Sequence, residues 1–267
     1  MLDGKRGLVL GVANKGSLGW AIAKACAGRG ARLALTYQGP RFEDGVRELA
    51  ATLPNAAEAL VLPCEITQEA DVAALFEAVR TKWDGLDFLV HSIAYANPEE
   101  LKRPFRDTSR EGFHVALEVS AYSLIPLAKA FAPLMKGGGS IVALSYLGGE
   151  RVVPNYNVMG VAKAALDSAV RYLAYDLGPS GIRVNSVSPG PVRTISAASI
   201  PGVGKMLEHV ERVSPMRRNI TADEVGDVVS FMVSDMSRAI SGQQIHVDAG
   251  YSIMGVTTTA DALDGKS

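Results

Sequence analysis

Two side chains near the middle of the chain, Tyr156 and Lys163, have the types and the spacing to work as a pair. A phenol donates one hydrogen bond and an ammonium carries a compact charge, so side by side they could stabilise an oxygen that gains negative charge. On a helix turning about 100° per residue, seven positions leave them only about 20° apart, stacked two turns apart on one face. A buried tyrosine beside a snorkelling lysine satisfies the same spacing, and the pair alone does not choose between chemistry and packing.

A second group of residues suits a phosphate ligand. Gly11-Val-Ala-Asn-Lys-Gly16-Ser17-Leu18-Gly19 follows the first apolar run and opens a helix near Trp20. Glycines at such a turn let backbone N–H groups approach a pyrophosphate, and the helix start adds partial positive charge. Gly11, Ser17 and Leu18 are the candidates there, with Ser17 able to donate a further bond. The spacing is not GxGxxG, so a glycine-rich turn without a ligand is the alternative. The second run ends Thr36-Tyr37-Gln38. Neutral Gln38 could bond ribose hydroxyls, as NADH needs, while nearby Arg41 leaves a 2′-phosphate open. Glu65 and Ile66 stand where an adenine would lie, and Ser92, Ile93 and Ala94 close the fourth run with groups small enough for a cofactor to pass. These positions trace the carboxyl ends of consecutive strands, where an open α/β sheet binds its ligand.

The elements that must carry these residues alternate along the chain. Arg6–Val12, Ala31–Tyr37, Glu58–Ile66, Asp87–Ile93, Gly139–Ser145, Ile182–Ser188 and Gln243–Val247 read as strands, apolar without alternation and so covered on both faces. Amphipathic stretches near Trp20–Arg29, Arg41–Leu53, Glu69–Trp83, Glu111–Met135, Asn155–Leu177 and Asp223–Ser234 read as helices. Capping boxes are expected at Thr108–Glu111 and Thr221–Glu224. The pattern predicts an α/β, Rossmann-type, doubly wound fold: a seven-stranded parallel sheet with helices on both faces. No linker or repeat divides the 267 residues, which reads as one domain. Pro191–Arg218 is too long for an ordinary connection and holds a short helical stretch near Lys205–Arg212. Its small and apolar residues suit a substrate lid, with a decorative insertion as the alternative. The tail from residue 256 is polar and expected to be flexible.

Composition excludes several classes. With 27 Lys+Arg against 28 Asp+Glu the net charge is −1, so no basic excess points to nucleic acid. At 48% apolar and 21% charged residues the chain has the material for a core. Cys26 and Cys64 lie in apolar stretches and read as buried thiols in a reducing compartment. No signal-peptide pattern appears and no run approaches the roughly 20 apolar residues of a membrane span, so a cytoplasmic protein is expected. His91, His114, His209 and His246 show no ligand spacing, and no metal site is expected.

Taken together, Tyr156-x-x-Met159-x-x-x-Lys163, the Gly11-x5-Ser17 turn, Thr36-Tyr37-Gln38, His91-Ser92-Ile93, Ser145-Tyr146-Leu147-Gly148 and Gly190-Pro191-Val192-Arg193-Thr194 resemble the bacterial NADH-dependent enoyl-[acyl-carrier-protein] reductases, a divergent branch of the short-chain dehydrogenase/reductase superfamily. The resemblance runs from about Gly4 to Gly255. Other short-chain dehydrogenases space Tyr and Lys four apart and usually have Ser where Tyr146 stands. The resemblance implies reduction of the C2=C3 bond of trans-2-enoyl thioesters, the last reductive step of fatty-acid elongation. Tyr156 would stabilise the enolate oxygen, Lys163 would bind the nicotinamide ribose, and Tyr146 would line the acyl pocket. It further implies Val192, Thr194, Ile195 and Ser196 over the cofactor, and Ala96, Ala197, Ile200 and Met206 around the substrate.

Acyl carrier protein is the implied partner, with Lys205, Arg212, Arg217 and Arg218 as a local basic patch for it, and a homotetramer the implied assembly. Two departures from the family pattern are Glu65, where Asp is common, and Asn185-x3-Pro189-Gly190, which resembles the wider superfamily. A 3-oxoacyl or other carbonyl reductase, and a non-enzymatic dinucleotide sensor, are the alternatives.

Overall fold

The seven apolar runs form one parallel sheet in this computed structural model, which describes residues 1–194 and 202–255. The strands are β1 Arg6–Leu10, β2 Arg32–Tyr37, β3 Leu60–Pro63, β4 Phe88–His91, β5 Gly139–Leu144, β6 Ile182–Pro189 and β7 Gln244–Val247. Their spatial order is β3-β2-β1-β4-β5-β6-β7, each neighbour parallel, so the order reverses between β1 and β4. A crevice opens at such a reversal, outside the strands' carboxyl ends. Several strands are shorter than expected; β3 is the extreme case, because Ala56–Glu58 forms a 3-10 turn ahead of it.

Successive strand residues face opposite ways, and two cores result. On one side Val9, Phe88 and Val90 meet Trp20 and Ile22 of α1 (Leu18–Ala27), Val46 of α2 (Glu43–Ala51), and Val225 and Val229 of α9 (Ala222–Met232). On the other, Leu8, Leu10 and Leu89 meet Leu75 of α3 (Glu69–Trp83), Leu124 and Phe131 of α6 (Leu124–Phe131) and Leu166 of α7 (Val158–Leu177). Remaining helices are α4 Pro98–Lys102, α5 Arg110–Leu117 and α8 Val203–Val213. Both cysteines are buried free thiols, and burial pushes each up to about 12.

Three expectations are corrected. The helix expected over Glu111–Met135 is two helices, α5 and α6, joined by a π turn at Glu118–Tyr122. Pro126 then falls in the first turn of α6, where its missing N–H has no intrahelical acceptor to lose. The start of α5 is capped one residue later than expected: Ser109 accepts from the Gly112 N–H at 3.0 Å, while Thr108 donates to Phe105 O at 2.6 Å. By contrast, the Thr221/Glu224 box forms with both bonds in place. Finally, Arg110–Leu134 does contain an 18-residue window with the length and apolarity of a membrane span, with mean hydropathy 1.3, although 44% of that window is buried inside the fold.

Gly11 fixes the end of β1. Its φ is +85°, and a Cβ there would stand 2.1 Å from Ser92 O. Gly11→Ala is therefore expected to destabilise the protein by at least about 2 kcal/mol, from left-handed backbone strain plus the collision with β4. Thermal unfolding checks this, with a fall in Tm of about 4–8 °C expected for a chain of this size.

Candidate active site

Tyr156 does not lie on a helix. It sits in a turn just before α7, whose N-cap is Asn157, so the two-turns-apart stacking expected for Tyr156 and Lys163 does not apply. Asn155 and Asn157 both take positive φ, +64° and +43°, and swing the tyrosine back over the site. Asparagine adopts such backbone more readily than most residues. The Asn157 amide secures the turn by donating to Arg103 O at 2.9 Å and Glu100 O at 3.3 Å. Gly148 makes room for the ring: a Cβ there would come within 2.4 Å of Tyr156 Cδ1.

The phenol that results is 8% exposed, with its ring 4.7 Å from that of Tyr146 at 61°. Burial, with added repulsion from Tyr146 and Asp167, lifts the Tyr156 hydroxyl far above its usual range, so it stays a neutral donor. Burial likewise pushes Tyr146 up to about 12. Lys163, on the first turns of α7, is 3% exposed and donates from Nζ to Leu144 O at 2.6 Å, at the end of β5. Burial lowers its pKa to about 8, against the opposing pull of Asp167.

Sequence reasoning missed several polar residues around this pair. Asp167, one turn beyond Lys163, is buried and accepts from Ser145 Oγ at 2.7 Å and Ser186 Oγ at 2.8 Å. An acid four residues after the lysine, within an otherwise apolar helix face, was the available signal. His91, read as an ordinary core or surface residue, is fully buried at the end of β4, with Nε2 2.7 Å from Ser123 Oγ. Burial first, then the charge of Lys163, pushes its pKa down to about 3, so the imidazole is neutral.

The residues expected to hold a cofactor line the carboxyl ends of β1 to β4. Ser17 is the N-cap of α1, where its hydroxyl accepts from the Trp20 N–H at 3.3 Å and donates to Asn14 O at 2.8 Å. The first-turn N–H groups of Leu18 and Gly19 have no intrahelical acceptor by geometry. A Cβ on Gly19 would come within 2.8 Å of Gly11 O, so only glycine lets the helix start this close to the β1 turn.

Gln38 and Glu65, 27 residues apart, are brought together: Gln38 Nε2 donates to Glu65 Oε2 at 2.7 Å. Both line a cavity of about 810 Å³ with Tyr37, Arg41 and Tyr95. The Ile66 side chain instead packs into the core with Cys64 and Val72, which leaves only its backbone for a ligand. Ser92 O abuts Gly11, Ile93 is half-buried and Ala94 is exposed. A turn that only glycine can occupy, with donors and acceptors beyond it, fits a dinucleotide.

Beside Tyr156 lies a small apolar cluster of Ala96, Leu101, Ala116, Val158 and Met159, with Tyr146 packed against it. Tyr146 Oη reaches Met206 Sδ at 3.5 Å, which joins α8 to the site. That helix spans Val203–Val213, slightly longer than the stretch expected near Lys205–Arg212. A second cavity of about 530 Å³ runs from Tyr146 to Met206 and Val210 under α8. Val192 packs on the core and Thr194 is half-buried, whereas Ile195, Ser196, Ala197 and Ile200 lie outside the described residues. Of the four cations expected to form a basic patch, Arg218 pairs with both oxygens of Glu224, at 2.6 and 2.9 Å. Among the described residues no group of three or more His, Cys, Asp or Glu could hold a metal ion.

Comparison with known proteins bears on this arrangement directly. Residues 11–252 match the family model described as enoyl-(acyl carrier protein) reductase. The chain is 48% identical over 255 residues to the enoyl-[acyl-carrier-protein] reductase [NADH] FabI of Bacillus cereus, covering 96% of this chain and 99% of that protein. It is 49% identical over 257 residues to the FabI of Aquifex aeolicus, covering 96% and 94%. The Bacillus cereus reductase solved with NADP+ and indole naphthyridinone superposes with a TM-score of 0.94 at 48% identity, over 96% of this chain and 99% of that one. The reductase of Anaplasma phagocytophilum, solved with NAD, gives 0.91 at 42% identity, over 97% and 96%. Because the matched stretch runs from the Gly11 turn through Tyr156 and Lys163 past the end of β7, the chain belongs to the enoyl-(acyl carrier protein) reductase family.

Proposed function

We propose that the protein reduces the C2=C3 bond of trans-2-enoyl thioesters carried on acyl carrier protein, with NADH, as the last reductive step of fatty-acid elongation. The observation that carries this reading is a buried neutral phenol, Tyr156, held at an apolar cluster against the ring of Tyr146, two residues along the chain from the Leu144 carbonyl that takes the buried ammonium of Lys163. When bound, NADH supplies a hydride to C3. The residues of this chain then manage the charge that appears on the thioester oxygen as an enolate, until a proton taken up at C2 completes the saturated thioester. Tyr156 Oη donates to that oxygen, and its bond strengthens as charge develops. Lys163 holds the ribose hydroxyls and adds a fixed positive charge in a site that excludes water. Tyr146 backs the Tyr156 ring and, with Ala96 and Met206, forms the wall of the acyl pocket.

At the far end, the Gly11 turn and the start of α1 at Ser17 and Leu18 bind the pyrophosphate. Gln38 turns from Glu65 to the adenosine ribose, and Glu65 is freed to accept from the adenine. Pro191–Arg218 serves as the lid within a single domain, carrying Val192, Thr194, Ile195 and Ser196 to the cofactor and Ala197 and Ile200 to the substrate. Lys205, Arg212 and Arg217 form the docking patch for the acidic carrier. The assembly is a cytoplasmic homotetramer that binds neither membrane nor nucleic acid. Its contacts come from α6, its preceding π turn and α7, where Tyr122, Ile125, Tyr172 and Tyr175 stand exposed, Tyr175 at 82%.

Steady-state assays with crotonyl and longer enoyl thioesters test the reading. NADH oxidation is expected with the enoyl compounds and not with 3-oxoacyl thioesters, and NADPH is expected to be the poorer cofactor because neutral Gln38 faces the ribose. Turnover of the ketone alone would establish a carbonyl reductase, and cofactor binding without turnover of either would establish a sensor.

A further inference from the structure

Lys163 keeps its charge in a place where burial works against it, and the group that opposes burial lies one helical turn away. Asp167 is 6% exposed, and its two oxygens are held by hydroxyls from two strands, Ser145 at the end of β5 and Ser186 in β6. A carboxylate buried among neutral donors holds its charge best when a cation stands near it. Lys163 is that cation, four residues earlier on α7, and each charge supports the other.

The remaining groups do not substitute for this carboxylate. His91, on β4, is neutral, and Tyr156 and Tyr146 are protonated phenols. Glu150, on the turn after β5, faces Asp167 and repels it.

The hydroxyl that holds Asp167 also ties it to the reacting end of the site. Ser145 lies between Leu144, whose carbonyl accepts from Lys163 Nζ, and Tyr146, whose ring rests on Tyr156. The turn that follows packs tightly on the same carboxylate. A Cβ on Gly149 would stand 2.9 Å from Ala164 N and 3.2 Å from Asp167 Oδ2.

We propose that Asp167 is a positioning residue for the reduction: a buried carboxylate that keeps Lys163 cationic and fixes the Leu144–Tyr146 segment through Ser145. The inference rests on the enoyl-reductase reading of the site. Losing the carboxylate makes the ammonium easier to deprotonate, so the limb on which activity falls at high pH moves to lower pH.

For Asp167→Asn that limb of the kcat/KM profile is expected to move down by about one pH unit, giving roughly a tenfold loss above pH 8 and little loss near pH 6. Asp167→Glu, which restores the charge, is expected to return the limb toward its wild-type position. A residue that merely supported the fold would lower activity evenly across the range in both variants. Asp167→Ser carries the same expectation as Asp167→Asn should the amide variant fold poorly. An unmoved limb in whichever uncharged variant folds overturns the proposal. Wild-type protein that fails to oxidise NADH with any enoyl thioester would instead remove the functional reading itself.

Discussion

Tyr156→Phe is expected to lower kcat by about 10²–10³-fold, the usual cost of deleting one preorganised donor to a developing oxyanion. The substitution removes a single oxygen and keeps the ring, so the contact with Tyr146 at 4.7 Å and the apolar cluster should survive. NADH affinity and thermal stability should both stay near wild type, which separates a chemical loss from a structural one. Since burial holds the hydroxyl neutral, the tyrosine itself should add no limb to the pH profile between pH 6 and 9. Stopped-flow reduction of crotonyl thioester, with single turnovers resolved, measures the step. A rate within threefold of wild type would assign the donor role elsewhere.

Lys163→Ala should cost more than rate. In the proposed reaction the ammonium holds the ribose and opposes the enolate's charge, so kcat is expected to fall by at least about 10²-fold and NADH affinity by roughly tenfold. The sign of the pH dependence follows from the same group. With a pKa pushed down to about 8 by burial, Lys163 is cationic below that value and loses its proton as pH rises through it. Wild-type kcat/KM should therefore be flat on the acid side of 8 and decline above it, and the Lys163→Ala remnant should lack that decline. A lysine-free variant that keeps the wild-type basic limb would place the titration on another group. Fluorescence titration with NADH and initial rates from pH 6 to 10 supply both readings.

Much of this was visible in the residues themselves. Seven continuously apolar runs separated by amphipathic stretches allowed only a sheet covered on both sides, and the Thr221/Glu224 box placed a helix start to the residue. What stayed hidden depended on contacts between distant parts of the chain. Gln38 and Glu65 each read as a cofactor residue in the sequence, but only the parallel pairing of β2 with β3 brings them within bonding distance of one another. The seven-residue spacing of Tyr156 and Lys163 suggested two helical turns, yet the tyrosine reaches the site through a turn with two left-handed asparagines. Asn155-Tyr-Asn157 was the local warning, outweighed by the strong periodicity that follows it. Asp167 stands out in α7 only as an acid one turn after Lys163; that hydroxyls from two strands converge on it is visible only in the fold. Pro126, in the first turn of α6, is the local signal that the stretch Glu111–Met135 is not one regular helix.

The all-parallel order of the sheet has a consequence for how the protein comes to be active. No two adjacent strands are joined by a tight turn, so every pairing must close a long loop before its contacts repay the lost chain entropy. The first half of the chain can gather β1, β2, β3 and β4 while it emerges from the ribosome. Lys163 and its neighbour Asp167, however, depend on β5 and on Ser186 of β6, whose far edge is covered by β7. Catalytic competence is thus a late event in folding, acquired only after β5, β6 and β7 have joined the sheet begun by β1 to β4.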